Sequence, residues 1–138
     1  MHSDRTLTML ERLAQATNDH DLDALVACFA EDYVNETPIH PTRGFRGRDQ
    51  VRRNWEQIFG FVPDLAARIV CLAVDGETVW SEWEMTGTRR DGTPHHMRGV
   101  IVFGVRDDVA RSARFYLEPV DTADMTVDDA VREQVVRR

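Results

Sequence analysis

Three turn signals punctuate the second half of the chain at even intervals, and they constrain the fold more than any other feature. Asp75-Gly76, Asp91-Gly92 and Asp107-Asp108 stand sixteen residues apart, which leaves room for long strands joined by tight hairpins. The segments around them, "ARIVCLAV", "TVWSEWEMTGT", "HHMRGVIVFGV" and "VARSARFYLEPV", are rich in β-branched and aromatic residues. The pattern predicts a four-stranded antiparallel meander beginning near residue 66. The third segment is apolar on both faces in its middle, as expected of a sheet covered on one side by helices and on the other by a second subunit.

The first half reads as helical. Leu7, Leu10, Leu13 and Ala14 recur at helical spacing, and Leu22, Leu25, Val26 and Phe29 repeat the pattern after "NDHD". The Asn and Asp residues between them are good N-caps, so two helices with a turn at about 18–21 are expected. A strand "YVNET" follows, then a loop ending in "GFRGRD". Asp49 begins or closely precedes a third helix with Val51, Trp55, Ile58, Phe59 and Val62 on one stripe, stopped by Pro63. In the tail, Thr126 with Asp129 resembles a capping box, with Val127, Val131 and Val135 apolar and arginines at the end to suit the helix dipole. Helices followed by a meander make an α+β layout with helices on one face of a curved sheet.

Composition excludes several classes of function. The formal charge is −7 with all 17 basic residues arginine, which argues against a nucleic-acid partner and removes lysine Schiff-base chemistry. No apolar run is long enough to span a membrane, and "MHSDRTLTML" is too polar for a secretory signal, so a cytoplasmic protein is expected. Cys28 and Cys71 read as two buried free thiols, since no second Cys or His stands at ligand spacing. Neither a metal nor a cofactor is expected.

The hairpins set a register. "RRDGT" suits a three-residue loop, Arg90-Asp91-Gly92, that places Glu84 opposite Arg98, Thr86 opposite His96 and Glu82 opposite Val100. A two-residue loop at Asp107-Asp108 then pairs Arg98 with Leu117 and Val100 with Phe115. One face would carry Glu82, Glu84, His96, Arg98, Val100, Phe115 and Leu117; the other would carry Trp83, Met85, His95, Met97, Tyr116 and Glu118. Each face mixes polar and apolar residues, so the count alone does not say which one is concave.

The order of elements, "LDALVACFAEDYV" leading into the first strand, "GRDQVRRNWEQIFGFVPDL", and the closing "MRGVIVFGV" and "ARFYLEP" resemble the SnoaL-like group of the nuclear transport factor 2-like superfamily. The resemblance spans nearly the whole chain and implies one domain over residues 1–138, with 121–138 as a C-terminal helix or tail. It also implies a cone-shaped α+β barrel, a mostly antiparallel sheet with helices packed on its concave face. Such proteins are commonly dimeric, here through the convex sheet face, and bind a small-molecule ligand in a pocket. The group includes polyketide cyclases, ketosteroid isomerase and limonene epoxide hydrolase, besides members without known reaction.

Carried onto this sequence, the resemblance keeps some polar groups and loses others. The Tyr-x-Asn pair of limonene epoxide hydrolase matches Tyr33 and Asn35, whereas its Arg-x-Asp pair falls on Glu82 and Glu84 and its last Asp on Phe115. All these positions lie on the first predicted face, which is therefore read as the pocket. The isomerase's proton-transferring Asp precedes a Pro, and in "NETP" that position is Thr37, which is no carboxylate base. SnoaL-type cyclases use an acid on the last strand. The nearest candidate is Glu118, which the register turns away unless a one-residue bulge brings it inward.

Glu84 opposite Arg98 is the sharpest constellation. It reads either as a structural ion pair or as a site in which Glu84 or His96 moves a proton and Arg98 stabilises an oxyanion. Tyr33, Asn35, Trp55, Phe59, Glu82, Val100 and Phe115 are the expected ligand contacts, with His40 at the border of the entrance. The expected function is that of a cofactor-independent isomerase or cyclase acting on an apolar, oxygenated molecule, the alternatives being a ligand-binding protein or a dimeric scaffold.

Overall fold

The computed structural model describes residues 2–136, and side chains from Thr6 onward. Helix α1 (His2–Asp19) is followed by the short α2 (Leu22–Val26), and the turn between them is made at His20, whose φ of 55° is left-handed. Asp21 caps α2 by accepting from the Ala24 amide at 3.1 Å. Strand β1 (Phe29–Glu36) begins four residues before the expected "YVNET" and stops short of Thr37. A two-residue strand β2 (Phe45–Arg46) lies within the segment expected to be loop, and α3 (Arg48–Phe61) ends beside Val62 and Pro63 as anticipated.

The meander is present: β3 (Ala66–Asp75), β4 (Thr78–Thr88), β5 (Pro94–Arg106) and β6 (Val109–Pro119) pair antiparallel in sequence. The six strands form one sheet in the order β2-β1-β6-β5-β4-β3, with β1 parallel to β6. Helix α4 (Val127–Val136) is capped by Thr126, whose hydroxyl accepts from the Asp129 amide at 3.1 Å. The arginines at 137 and 138, expected to suit its dipole, lie outside the described residues.

Burial identifies the covered face of the sheet. Val79, Ser81, Trp83 and Met85 of β4, Ile101, Phe103 and Val105 of β5 and Ala113 of β6 pack with Met9, Leu10, Leu13, Leu25 and Val26 of the helices. Burying one such large side chain contributes about 1.5–3 kcal/mol. Trp83 is 1 % exposed, and its indole Nε1 donates to Ser81 Oγ at 2.9 Å, which in turn donates to the Ile101 carbonyl at 2.7 Å. The indole N–H of Trp83 and the hydroxyl of Ser81 are thus both satisfied. At the sheet edge, the Asn18 amide bonds both to the Ala67 carbonyl (2.9 Å) and to its N–H (2.7 Å), pinning α1 to β3 where no further strand pairs.

The fold is thus α+β, a mostly antiparallel six-stranded sheet with helices against one face. No helix among the described residues is long and apolar enough to cross a membrane. Cys28 is buried, but Cys71 is exposed, which corrects the expectation of two buried thiols.

Candidate functional site

One inserted residue decides what faces what. The β5–β6 hairpin has the expected two-residue loop, with Arg106 opposite Val109 and both Asp107 and Asp108 at positive φ. Between Gly104↔Ser112 and Val105↔Ala110, however, Arg111 is left without a partner, a β-bulge. Beyond it the register moves by one: Phe115 lies opposite Ile101 and Leu117 opposite Gly99, while Arg98 meets Glu118. Gly99 is required there, because its φ is 152° and a Cβ would sit 2.0 Å from the Tyr116 carbonyl oxygen. The bulge swings Phe115 and Leu117 to the covered face.

A cavity of about 410 Å³ opens on that face. Its apolar walls come from Phe29 and Tyr33 of β1, Phe45 of β2, Val51, Trp55 and Ile58 of α3, and Met85, Met97, Phe115 and Leu117 of the meander. These residues come together because β1 joins β6 in parallel, Asn35 opposite Ala113, so that α3 packs over the junction.

Two hydrogen-bonded pairs supply most of its polarity. The Tyr33 hydroxyl donates to Asn35 Oδ1 at 2.6 Å, both residues being buried. Burial pushes the Tyr33 phenol well above its ordinary range, so it remains a neutral donor. Among the described residues Asn35 Nδ2 has no hydrogen-bond partner, which leaves a donor for a guest in the cavity. The second pair is His40 with Glu118, Nε2 to carboxylate oxygen at 3.2 Å. His40 is held by Thr37: its N–H donates to the Thr37 carbonyl at 2.8 Å, and Thr37 Oγ1 donates to the His40 carbonyl at 2.8 Å. Thr37, at the position where an isomerase carries its carboxylate, is here the anchor of a histidine. His95, Arg43 and Asn54 complete the polar lining. Burial, and secondly the charge of Arg89, push the His95 imidazole below its ordinary range.

The structure divides the residues singled out in the sequence. Tyr33, Asn35, Trp55 and Phe115 line the cavity. Phe59 does not; it stacks on His20 with centroids 4.5 Å apart and leans on Trp55. Glu82, Glu84, His96, Arg98 and Val100 are on the opposite, open face of the sheet, which corrects the reading of that face as the pocket. The predicted pairings of Glu84 with Arg98 and Glu82 with Val100 hold; the face differs because the resemblance sets Glu82, Glu84 and Phe115 together in the pocket, whereas the bulge puts Phe115 on the other side of the sheet. Trp83, Met85 and Met97, which the predicted register puts on the face away from the pocket, belong to the covered face.

On the open face the charged residues satisfy one another. Glu84 accepts from His96 Nε2 (2.7 Å) and Arg68 Nη2 (2.8 Å), and Glu82 accepts from Arg98 Nη2 (2.8 Å) and the Cys71 thiol (3.3 Å). The His96 hydrogen bond, and then Arg68, hold the Glu84 carboxyl below its usual range; Arg98 does so first for Glu82. Arg68 lies opposite Glu84, because the β3–β4 loop has two residues and Val70 forms a second bulge. Low-lying, occupied carboxylates are poor bases.

Sequence reasoning passed over His95 and gave His40 and Glu118 little weight. A signal existed for the face itself: in "TVWSEWEMTGT" the alternation Val79, Ser81, Trp83, Met85 is less charged than Trp80, Glu82, Glu84, Thr86. Glu118 reaches the cavity from the rim, its backbone paired with Arg98 while its carboxylate meets His40. Among the described residues no three His, Cys, Asp or Glu side chains gather where a metal ion could be held.

A SnoaL-like domain model matches residues 10–113. No curated protein sequence gives a significant match. Among solved structures, the LEH-like epoxide hydrolase of Mycobacterium tuberculosis is 20 % identical over 96 % of this chain and 97 % of its own, with a TM-score of 0.72. Wild-type IdmH of Streptomyces antibioticus, a proposed polyketide cyclase, is 23 % identical over 86 % and 92 %, with a TM-score of 0.70. PrhC of Penicillium brasilianum reaches 0.74 at 14 % identity over 99 % and 87 %. At these identities the likeness is one of fold.

Proposed function

The chain belongs to the SnoaL-like family, and on that footing we propose that it is a small-molecule pocket protein of the cyclase or isomerase type. It would carry out acid–base chemistry without a cofactor on a largely apolar, oxygenated ligand of polyketide, steroid or terpenoid character. The observation that carries this reading is the cavity of about 410 Å³, apolar in its walls and furnished with the His40–Glu118 and Tyr33–Asn35 pairs. Its size falls within the ~300–1,000 Å³ of pockets that take small ligands. The names of structural neighbours, an epoxide hydrolase and a proposed polyketide cyclase among them, support the class of chemistry.

In this reading Glu118 holds Nε2 of His40, leaving Nδ1 to take a proton from a carbon beside the ligand's carbonyl. The oxygen gains negative charge as the C–H bond breaks, and Asn35 Nδ2 donates to it. Tyr33 fixes the Asn35 amide by donating to its Oδ1. Return of the proton to a different carbon gives isomerisation; attack of the enolate carbon on a second carbonyl carbon of the same molecule closes a ring, that C=O π bond opening to an alkoxide that takes the proton back from His40.

The open face supports a second copy as partner. Trp80 is 48 % exposed there, Arg114 lies over its ring at 5.8 Å, and Val100 and Tyr116 are half-buried beside charges that are already paired. Such a surface has an apolar centre and little net field, as subunit interfaces require.

The test is exchange at carbon. A polycyclic aromatic ketone is incubated with the protein in deuterated buffer, and loss of the α-proton signal is followed by NMR while tryptophan fluorescence, to which Trp55 in the cavity wall contributes, reports binding. Saturable quenching with exchange above the buffer rate is expected, and both should vanish when Leu117→Trp fills the cavity. Quenching without exchange would reduce the protein to a binder; neither would sink the proposal.

A further inference from the structure

We propose that the ligand site continues past His95 into an anion subsite at Arg89, so that the ligand is an amphiphile whose carboxylate is held there while its apolar body fills the cavity. The inference rests on the cavity being a ligand site and adds the chemical class of what enters it.

A second depression, of about 450 Å³, shares Asn54, Ile58 and His95 with the inner cavity. Its outer part is formed by Phe61, Val62 and Arg89. Phe61, at the end of α3, is 63 % exposed, an apolar shelf beside the opening. The β4–β5 hairpin that carries Arg89 is fastened to the same helix end, since the Arg90 N–H donates to the Phe61 carbonyl at 3.0 Å and its Nε to that of Gly60. The shelf and the guanidinium therefore have a fixed relation.

Arg89 is held only by neutral acceptors. Its Nη1 donates to Thr93 Oγ1 at 3.1 Å and to the Pro94 carbonyl at 2.6 Å. Among the described residues no carboxylate comes within ion-pair distance of it; several other arginines share that freedom, but of these only Arg43 lines either depression. The hairpin's own carboxylate, Asp91, accepts from the Thr93 N–H (3.0 Å) and hydroxyl (2.6 Å) and feels the Arg89 charge only through space, beyond ion-pair distance. In a chain of net charge −7, a positioned guanidinium with two nitrogens still unused is the feature a monoanion would recognise. Its planar fork matches a carboxylate. His95, held neutral by burial and by Arg89 itself, does not compete for the charge.

Arg43 is the rival cation, since it lines the inner cavity and also lacks a carboxylate within ion-pair distance among the described residues.

The probe is 1-pyrenebutyric acid, compared with its methyl ester; both carry the same four-ring body, and quenching of tryptophan emission reports their binding. Wild type should bind the acid about fivefold to tenfold more tightly than the ester, as one partly exposed charged hydrogen bond allows. The advantage should shrink as salt is raised. In Arg89→Gln it should fall to about twofold or less with ester affinity unchanged, and Arg89→Lys should restore part of it. Equal binding of acid and ester to wild type overturns the subsite while leaving the cavity reading intact. So does a preference that survives Arg89→Gln and disappears in Arg43→Gln. Loss of ester binding together with acid binding in Arg89→Gln also counts against it, because Arg89 would then be shaping the groove rather than reading a charge. Failure of both probes on wild type removes the cavity reading and the subsite together.

Discussion

The imidazole of His40 and the carboxylate of Glu118 meet at 3.2 Å across the rim of the cavity, although 78 residues separate them in the chain. The parallel pairing of β1 with β6 brings them together: Glu36 lies opposite Arg114, so the turn that follows β1 runs beside the end of β6. Replacing either partner, as His40→Ala or Glu118→Gln, should lower α-proton exchange by about 10²–10⁴-fold. The double variant should lose no more than the worse single one, since the two act as a unit. Both groups are partly exposed, at 32 % and 46 %, so urea unfolding should show a change in stability within about 0.5 kcal/mol. A larger loss would mark the pair as structural.

Tyr33 behaves differently because it is 1 % exposed. Tyr33→Phe removes the donor to Asn35 Oδ1 and should cost about 1–2 kcal/mol by urea unfolding. The pH dependence follows from the raised phenol. The folded state favours the protonated form more than the unfolded chain does, so its stabilisation is complete below the unfolded pKa of about 10 and is lost as pH rises beyond it. Wild type should therefore weaken between about pH 10 and 12 more steeply than Tyr33→Phe, a difference that denaturant midpoints at each pH will show. Parallel curves would mean that the phenol is not held neutral.

Much of this was legible in the chain. The turn signals located the meander because each demands a residue tolerant of a tight turn, and β4 matches "TVWSEWEMTGT" residue for residue. The register of β4 against β5 followed from one loop whose geometry Gly92, at φ 88°, enforces. What could not be read was Arg111. A bulge residue has no compositional mark, yet it reverses the face of everything after it, so Phe115 and Leu117 were assigned to the side of Glu84. His40 was hard to place for another reason: its position depends on Thr37 closing a turn and on Glu118 arriving from the far end of the chain, and neither contact is local.

Glu84, the sharpest candidate in the sequence, supplies a control. On the open face, away from the cavity, Glu84→Gln should leave exchange and ligand binding within roughly twofold of wild type. It should alter acid sensitivity instead. The His96 and Arg68 contacts hold the folded carboxyl below its ordinary value, so they stabilise above the unfolded pKa of about 4.3, and that contribution is lost as pH falls through the folded one. The variant should show less dependence of stability on pH in that acidic window. Abolished exchange in a folded Glu84→Gln would return the chemistry to this face.

The open face also makes a prediction about assembly. Val102 is 2 % exposed although it faces away from the helices, in a row where Trp80 and Arg114 are its neighbours across the strands. Trp80 itself remains 48 % exposed with Arg114 at 5.8 Å over its ring. An aromatic left in water on an open sheet face, near paired charges, gains most by being covered, and interface cores favour such residues. Trp80→Glu would place a carboxylate beside Arg114, a solvated pair that costs little in a free protomer but several kcal/mol of desolvation if the face is buried against its own copy. Light scattering coupled to size exclusion should give twice the 15.8 kDa chain mass for wild type and the single mass for Trp80→Glu, with the variant's circular dichroism unchanged. A wild-type protein of single mass at tens of micromolar would leave the open face to solvent, with its charge network as the sole cover of the outward side of the sheet.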